Sequence, residues 1–344
     1  MLTEKQLEQL KSYCVVSSNA KQEEDEQAWL AARTHGIGGS DVGAICGVNN
    51  WSSARQIYFR KVGMFQDESS PSAAALERMH FGHVLEPVVA EEFVKRQNAD
   101  GATIECVEAD CSFSSVKYPY LLANVDRFVV DSNTGELVGI LECKTANENM
   151  NSEWADGQIP QSYYLQVQHY LFVTGLQHAW ISCLVGGNKF YTYDIFYDAS
   201  MYESFVLPKL DHFWNVNVKT FTEPAPMPAD CDFYDNLFTA SSVTGDTVEL
   251  NDVKFDTLGD EIMELKAQIK ELEAQVKEKQ AAIKNAIGDN LRGVSYRYEY
   301  TWAPRSRTSV DSNKLRQQYP DVYDDCIKVT EYRQLGIKKV VEDD

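Results

Sequence analysis

A mixed β-sheet flanked by helices, in the α/β or α+β class, is the fold this sequence predicts. Three observations predict it. Residues 120–145 form two extended runs, LLANVDRFVV and ELVGILECKT, around a DSNTG turn. Residues 160–174 carry a helical pattern after Pro160 that stops at Gly175. Two more extended runs, AWISCLVGG and KFYTYDIFY, flank a turn at Gly186, Gly187 and Asn188. Helix, hairpin, helix and hairpin in that order require a sheet with helices packed on it.

At 344 residues the chain is long enough for one large domain and an appended module. Hydrophobic residues at 44% and charged residues at 24% are ordinary for a globular protein. No run reaches the roughly 18 unbroken apolar residues of a membrane span, so a soluble protein with no membrane partner is expected. The first residues, MLTEKQLEQLKSYC, lack the basic start and apolar run of a secretory signal, which points to an intracellular location. The eight cysteines include no C-x-x-C pair and no histidines at zinc-finger spacing, so reduced and mostly buried thiols are expected. A net charge of −20 argues against a simple nucleic-acid binder with a basic surface. Acids gathered at a metal site, with a few arginines lining one channel, would reconcile that charge with a nucleic-acid substrate, and a different substrate class stays open.

Taken in order, residues 1–30 read as a polar helical lead-in whose acidic stretch, Glu23 to Glu26, is a solvated face. The segment RTHGIGGSDVGAICGVNNW (33–51) reads as a glycine-rich loop opening a helix, with Ser40 and Asp41 as N-cap residues. Residues 72–97 place Phe81, Val84, Leu85, Val88 and Phe93 at helical spacing, and Pro87 should bend or restart that helix, leaving Glu86 at a kink. The proline-rich EPAPMPAD (223–230) reads as a linker between a first domain, 1–222, and a C-terminal module, 231–344. Within the module, over about 256–287, Leu258, Ile262, Leu265, Ile269, Leu272 and Val276 form a heptad seam that resumes at Ile283 after Lys279 takes an apolar place. That seam either packs within the chain or pairs with another subunit. The tail GVSYRYEYTWAPRSRTSVD is strand-like and basic, and Arg305 and Arg307 among its aromatics suit phosphates and exposed bases. A plain surface strand with solvated arginines is the alternative.

The chemistry concentrates in the first hairpin. In an antiparallel pair, opposed residues have numbers summing to a constant, and the midpoint of Asp126 and Glu142 falls at residue 134, inside the DSNTG turn. The two carboxylates should be cross-strand neighbours. Glu142 and Lys144, two apart, share a face, and Cys143 points the other way. Like charges opposed on a partly buried sheet repel, and a divalent cation removes the penalty. Hard oxygen ligands select Mg²⁺ or Mn²⁺, which leave positions for phosphate and water. On spacing alone, a solvated sheet face with Lys144 as an ion-pair partner is equally compatible.

Asp126 followed by Glu142-Cys143-Lys144 resembles the PD-(D/E)-x-K nuclease superfamily. Around it RTHGIGGSDVGAICG, FGHVLEP, LLANVDRFV, LECKT and QVQHYLFVTG stand in the order found in YqaJ-like viral recombinases, relatives of lambda exonuclease. The resemblance implies a restriction-endonuclease-like core and a metal-dependent DNA exonuclease of phage-type recombination. Such an enzyme digests the 5′ strand from duplex ends and leaves 3′ single-stranded overhangs. It further implies two Mg²⁺ (or Mn²⁺) ions per site, held by Glu86, Asp126, Glu142 and the carbonyl of Cys143, with Lys144 orienting or activating the attacking water. Gln166 and Tyr170 match a Q-x-x-x-Y element that supports the site or touches DNA, and Arg33 and Ser40 resemble residues that hold a terminal 5′ phosphate. Implied partners are double-stranded DNA ends, a single-strand annealing protein and further copies of the chain in a trimeric ring. The implied setting is the cytoplasm of a bacterial host, with a phage or prophage gene. A RecB-like endonuclease or single-strand nuclease using the same acids, and an inactive DNA-binding or assembly protein, are the competing readings. The sequence departs from its relatives in a longer connection between Asp126 and Glu142 than the most compact members have. It also lacks the four cysteines of an iron-sulfur cluster, which excludes that cofactor.

Overall fold

In the computed structural model, residues 2–18, 33–49, 51–64, 73–109, 111–239 and 243–339 are described. The acidic stretch at 23–26 lies outside them. The chain divides into two compact units between Tyr234 and Asp235.

The first unit opens with α1 (Glu4–Leu10), whose N-cap Thr3 and Gln6 exchange capping hydrogen bonds. The lead-in then departs from its helical reading, because Cys14–Ser18 form strand β1. Helix α2 (Gly39–Cys46) follows the glycine turn, and Gly47 ends it in the left-handed conformation. Its N-cap is Gly38 rather than Ser40 or Asp41. Asp41 caps from inside the helix, at its third position, by accepting a hydrogen bond from the Gly38 N–H. Helices α3 (Ala54–Lys61) and α4 (Ala73–Ala99) come next. Of the bend or restart expected at Pro87, the restart does not occur, since α4 runs through it as one helix, and its apolar face is divided. Val89, Ala90 and Phe93 are buried, and Phe81, Val84 and Val88 are exposed.

Strands β2 (Ile104–Glu108), β3 (Ser112–Ser115) and β4 (Leu122–Ala123) precede the predicted hairpin, which is β5 (Arg127–Asp131) and β6 (Leu137–Ala146). Helix α5 (Gln161–Thr174), stopped by left-handed Gly175, carries the chain to β7 (His178–Val185) and β8 (Lys189–Phe196). The main sheet has the order β2-β5-β6-β7-β8. Every pair in it is antiparallel except β6–β7, which the α5 crossover makes parallel. A smaller antiparallel sheet joins β1, β3 and β4.

Both faces of the main sheet are covered. On one, Val89, Ala90 and Phe93 of α4 pack with Val129, Leu141, Cys143 and Trp180. On the other lies the larger core, including Leu165, Val167 and Leu171 of α5 with Phe128, Ile140 and Ile181. Burial of α5 on most of its circumference requires its polar side chains to be partnered. Gln168 donates to the Phe196 carbonyl and accepts from the Asp198 N–H. The His169 ring lies 2.9 Å from the Leu122 carbonyl and 2.7 Å from the Tyr202 hydroxyl.

The proline-rich segment is tied to α3. Arg55 donates to the Pro224 carbonyl and pairs with Glu223, Gln56 donates to the Ala229 carbonyl, and Ser53 bonds Asp230 at the start of helix α6 (Asp230–Leu237). In the second unit, helix α7 (Val253–Ile287) spans the heptads, with Asp252 as its N-cap. A short hairpin follows, β9 (Arg292–Val294) with β10 (Glu299–Thr301). All eight cysteines are thiols outside any disulfide, and Cys231 and Cys326 are exposed, so the expectation of burial holds only in part. Among the described residues no helix is long and apolar enough to cross a membrane.

Candidate active site

The register of β5 and β6 pairs Arg127 with Leu141 and Phe128 with Ile140. Continued by one residue, it sets Asp126 across from Glu142. Asp126 is also tied to the next residue of β6, because its Oδ2 accepts a 2.8 Å hydrogen bond from the Cys143 N–H. Alternation along β6 then separates the side chains. Cys143 enters the layer under α4, and Glu142 and Lys144 face α5.

Glu142 is 1% exposed. Its Oε1 accepts from the Lys144 ammonium and, at 2.6 Å, from the Gln166 amide, which also donates to the Tyr170 hydroxyl at 3.1 Å. Gln166 thus holds the carboxylate from α5, and Tyr170, one turn on, accepts from the same amide. The second oxygen, Oε2, is buried without a hydrogen-bond partner. A buried carboxylate oxygen left unpaired is costly, and burial together with Asp126 and Glu86 pushes the Glu142 carboxyl up to about 8. Burial and the Asp126 charge likewise push Glu86 up to about 7, against the pull of Arg127. Burial raises Asp126 too, despite Lys144 and the Cys143 N–H. For Lys144, burial opposes the charge, but Glu142 and Asp126 outweigh it and keep the ammonium protonated. Its Nζ also lies 4.9 Å from the centre of the Tyr163 ring.

Glu86 reaches this cluster from α4 and pairs with Arg127, whose guanidinium also donates to the Asp126 carbonyl at 2.6 Å. Arg127 escaped the sequence reading. Its signal was an arginine heading the apolar run Phe128-Val129-Val130, where a buried charge needs a partner. With Glu86 turned to Arg127 and Glu142 to Lys144, no three His, Cys, Asp or Glu side chains among the described residues form a ready-made metal cage. The donor set nonetheless fits a hard cation. The Asp126 charge raises the proton affinity of both Glu86 and Glu142, and one oxygen of Glu142 has nothing to bond.

A second constellation stands at the N-terminus of α2. Arg33 donates to the Ser40 hydroxyl. Behind it Lys61, from the end of α3, pairs with Asp41 at 2.8 Å and donates to the Arg33 carbonyl at 2.7 Å, with both side chains 6% exposed. Burial opposes the Asp41 charge, but Lys61 and Arg33 outweigh it and hold the carboxyl below its usual range. Lys61 was missed because, in sequence, it is one more basic residue in the last turn of a helix. The two constellations touch through Gly39, which packs against Tyr170 and Gln166. Arg305 and Arg307 belong to the second unit, where they are exposed in an extended segment.

Residues 28–177, which contain both constellations apart from those arginines, match the model of the YqaJ-like viral recombinase domain. Over 329 residues the chain is 33% identical to the uncharacterized protein YqaJ of Bacillus subtilis (strain 168), covering 95% of this chain and 98% of that one. The chain belongs to the YqaJ-like viral recombinase family. The likeness to the Bacillus protein extends beyond the matched domain into the second unit, so this family member shares its C-terminal module as well. Solved structures similar to it include an alkaline exonuclease from Laribacter hongkongensis, 17% identical, with a TM-score of 0.45 over 57% of this chain and 94% of that one. The same exonuclease in complex with dAMP matches at 15% identity and a TM-score of 0.44, with the same coverage.

Proposed function

We propose that this YqaJ-like protein is a metal-dependent deoxyribonuclease of phage-type recombination that digests the 5′ strand from the ends of double-stranded DNA and leaves 3′ overhangs. The observation that carries the reading is the convergence of Glu86, Asp126 and Glu142 with a protonated Lys144, one oxygen of Glu142 being buried and unpaired. Glu86, Asp126, Glu142 and the Cys143 carbonyl would hold Mg²⁺ or Mn²⁺, as two ions. When bound, these ions polarise a phosphodiester and lower the pKa of water. The protein's own groups do the rest. Lys144 presents a fixed positive charge to the phosphate and a proton donor that orients the attacking water. Gln166 and Tyr170 fix the Glu142 carboxylate, so its free oxygen keeps one direction.

Arg33 and Ser40, with the N–H groups opening α2, suit a terminal 5′ phosphate, since a helix N-terminus and a guanidinium both favour an anion. That placement supports digestion from the 5′ end. Arg305 and Arg307 would take backbone phosphates of the same DNA. The same family reading supplies the trimeric ring, a single-strand annealing protein as partner, and a phage or prophage gene acting in the bacterial cytoplasm.

The test is digestion of a linear duplex labelled on each strand, with and without a 5′ phosphate, in Mg²⁺. Loss of the 5′ strand alone is expected, with closed circular duplex untouched. Lys144→Ala and Glu142→Gln should each slow digestion at least a hundredfold. Unchanged rates in both variants, or cleavage of the circle, would remove the proposal.

A further inference from the structure

The 35-residue helix α7 buries Ile287 alone among its described residues, although its sequence is written for burial along one stripe. Leu258, Leu265, Ile269, Leu272 and Val276 are all exposed. In heptad terms Phe255, Ile262, Ile269, Val276 and Ile283 occupy the a positions, and Leu258, Leu265, Leu272, Lys279 and Ala286 the d positions. From Phe255 to Val276 the stripe is unbroken over about 30 Å at 1.5 Å per residue, a surface made to be covered.

We propose that α7 is covered by the α7 of a second copy of this chain, in a parallel, in-register, two-stranded coiled coil. Three features select that occupant. First, β-branched Ile and Val at a with Leu at d is the combination that favours two strands in parallel order. Second, the flanking charges are self-complementary in that order. Each g residue then meets the e residue five positions on in the partner, which pairs Glu261 with Lys266, Gln268 with Glu273, and Gln275 with Gln280. One pair attracts and none repels, and the twofold axis repeats the attraction on the other side. Third, Ile269, Leu272, Glu273, Val276, Lys277 and Gln280 line one open cleft on the helix, and the first four of them are the a, d, e and following a residues of consecutive turns. A leucine at d of a facing helix enters a hole bounded by four such residues. Lys279, the polar residue in the seam, sets two like charges face to face, which weakens the pair but penalises a third strand and slipped registers. This pairing is independent of the nuclease reading, and it joins two chains, or two larger assemblies, through their second units.

The experiment is sedimentation velocity of the full chain. With Ile269→Asp and Leu272→Asp combined, the assembly mass should halve, and an unchanged far-ultraviolet spectrum of the first unit's folded core, read by its thermal transition, excludes general unfolding. Glu261→Lys and Lys266→Glu should each weaken association roughly three- to tenfold, and the two together should restore it. Lys279→Leu should tighten it. An unchanged mass in the aspartate variant would mean that the seam is covered within the chain or by another protein, and would overturn the proposal. So would a fall to one third, the mark of three strands. Failure of the double charge exchange to restore association would overturn the parallel register.

Discussion

Gly39 and Tyr170 meet where α2 crosses α5, so closely that a Cβ on Gly39 would lie 2.4 Å from Cε1 and 2.7 Å from Cζ of the tyrosine ring. The same Cβ would come within 3.0 Å of Cγ of Gln166. Neither neighbour can retreat, since both are buried and Gln166 is bonded to Glu142. Gly39→Ala should therefore part the two helices, costing roughly 1–3 kcal/mol. Because the displaced Gln166 releases Glu142, digestion should slow at least tenfold, beyond what a lower melting temperature explains. A variant that melts early but digests normally well below its transition would show that α2 does not set the Gln166 position.

The parts of this arrangement that sequence made legible are those governed by local periodicity. Two-residue alternation put Glu142 and Lys144 on one face and Cys143 on the other, and the turn at residues 131–136 set Asp126 opposite Glu142. Gly175 ended α5 as a left-handed residue should. What local pattern could not supply was pairing over distance. Strand β1 is five residues long and finds its partner in β3, some hundred residues away, so neither segment carries its own evidence. Arg127 and Lys61 were passed over for a related reason. Their importance lies in facing Glu86 and Asp41, and spacing says nothing of a contact made between separate elements. At Pro87 the restart that sequence allowed did not occur, because the packing of Val89, Ala90 and Phe93 on the sheet holds α4 together through a residue that disfavours it.

Glu142 also gives the metal-free protein a pH dependence of known sign. Its carboxyl is raised from 4.5 to about 8, so between those values the unfolded chain has given up a proton that the folded chain keeps. Its contribution is complete below pH 4.5 and is lost as pH rises toward 8, a change on the order of a few kcal/mol. In the presence of a chelator, stability should fall across that window, and Glu142→Gln should flatten the fall. Added Mg²⁺ should raise the melting temperature more at pH 8 than at pH 5. Parallel stability profiles for parent and variant would contradict the burial argument.

Asp41 and Lys61 form an ion pair closed off from solvent under the Arg33–Ser40 contact. Removing one partner strands the other charge. Lys61→Met should cost roughly 3–5 kcal/mol in chemical denaturation, and adding Asp41→Asn should recover a good part of it. The single variant should also raise KM for 5′-phosphorylated duplex more than it lowers kcat, because the Lys61 ammonium bonds the Arg33 carbonyl and fixes that end of the phosphate pocket. Equal costs for the single and double variants would mean that the pair has no coupling.

His169 sets the acid limit of the fold. The Leu122 carbonyl can only accept, so Nε2 carries the hydrogen, and Nδ1 accepts from the Tyr202 hydroxyl; the ring is neutral and fully enclosed. Burial lowers its pKa from 6.5 to about 4, against the opposing pull of the Leu122 carbonyl and Asp41. Above pH 6.5 both states are neutral and the residue adds no pH dependence. As pH falls from 6.5 toward 4 the unfolded chain takes up a proton that the folded chain refuses, and up to about 3 kcal/mol is lost. A titration of unfolding free energy across that window should show this slope, and His169→Gln, which keeps a donor near the Leu122 carbonyl without a titrating ring, should remove it. The slope in this range is opposite in sign to the one from Glu142, so the two variants bend the profile in opposite directions. If His169→Gln leaves the acid limb unchanged, the ring titrates with solvent access that its enclosure by Leu122 and Tyr202 does not allow.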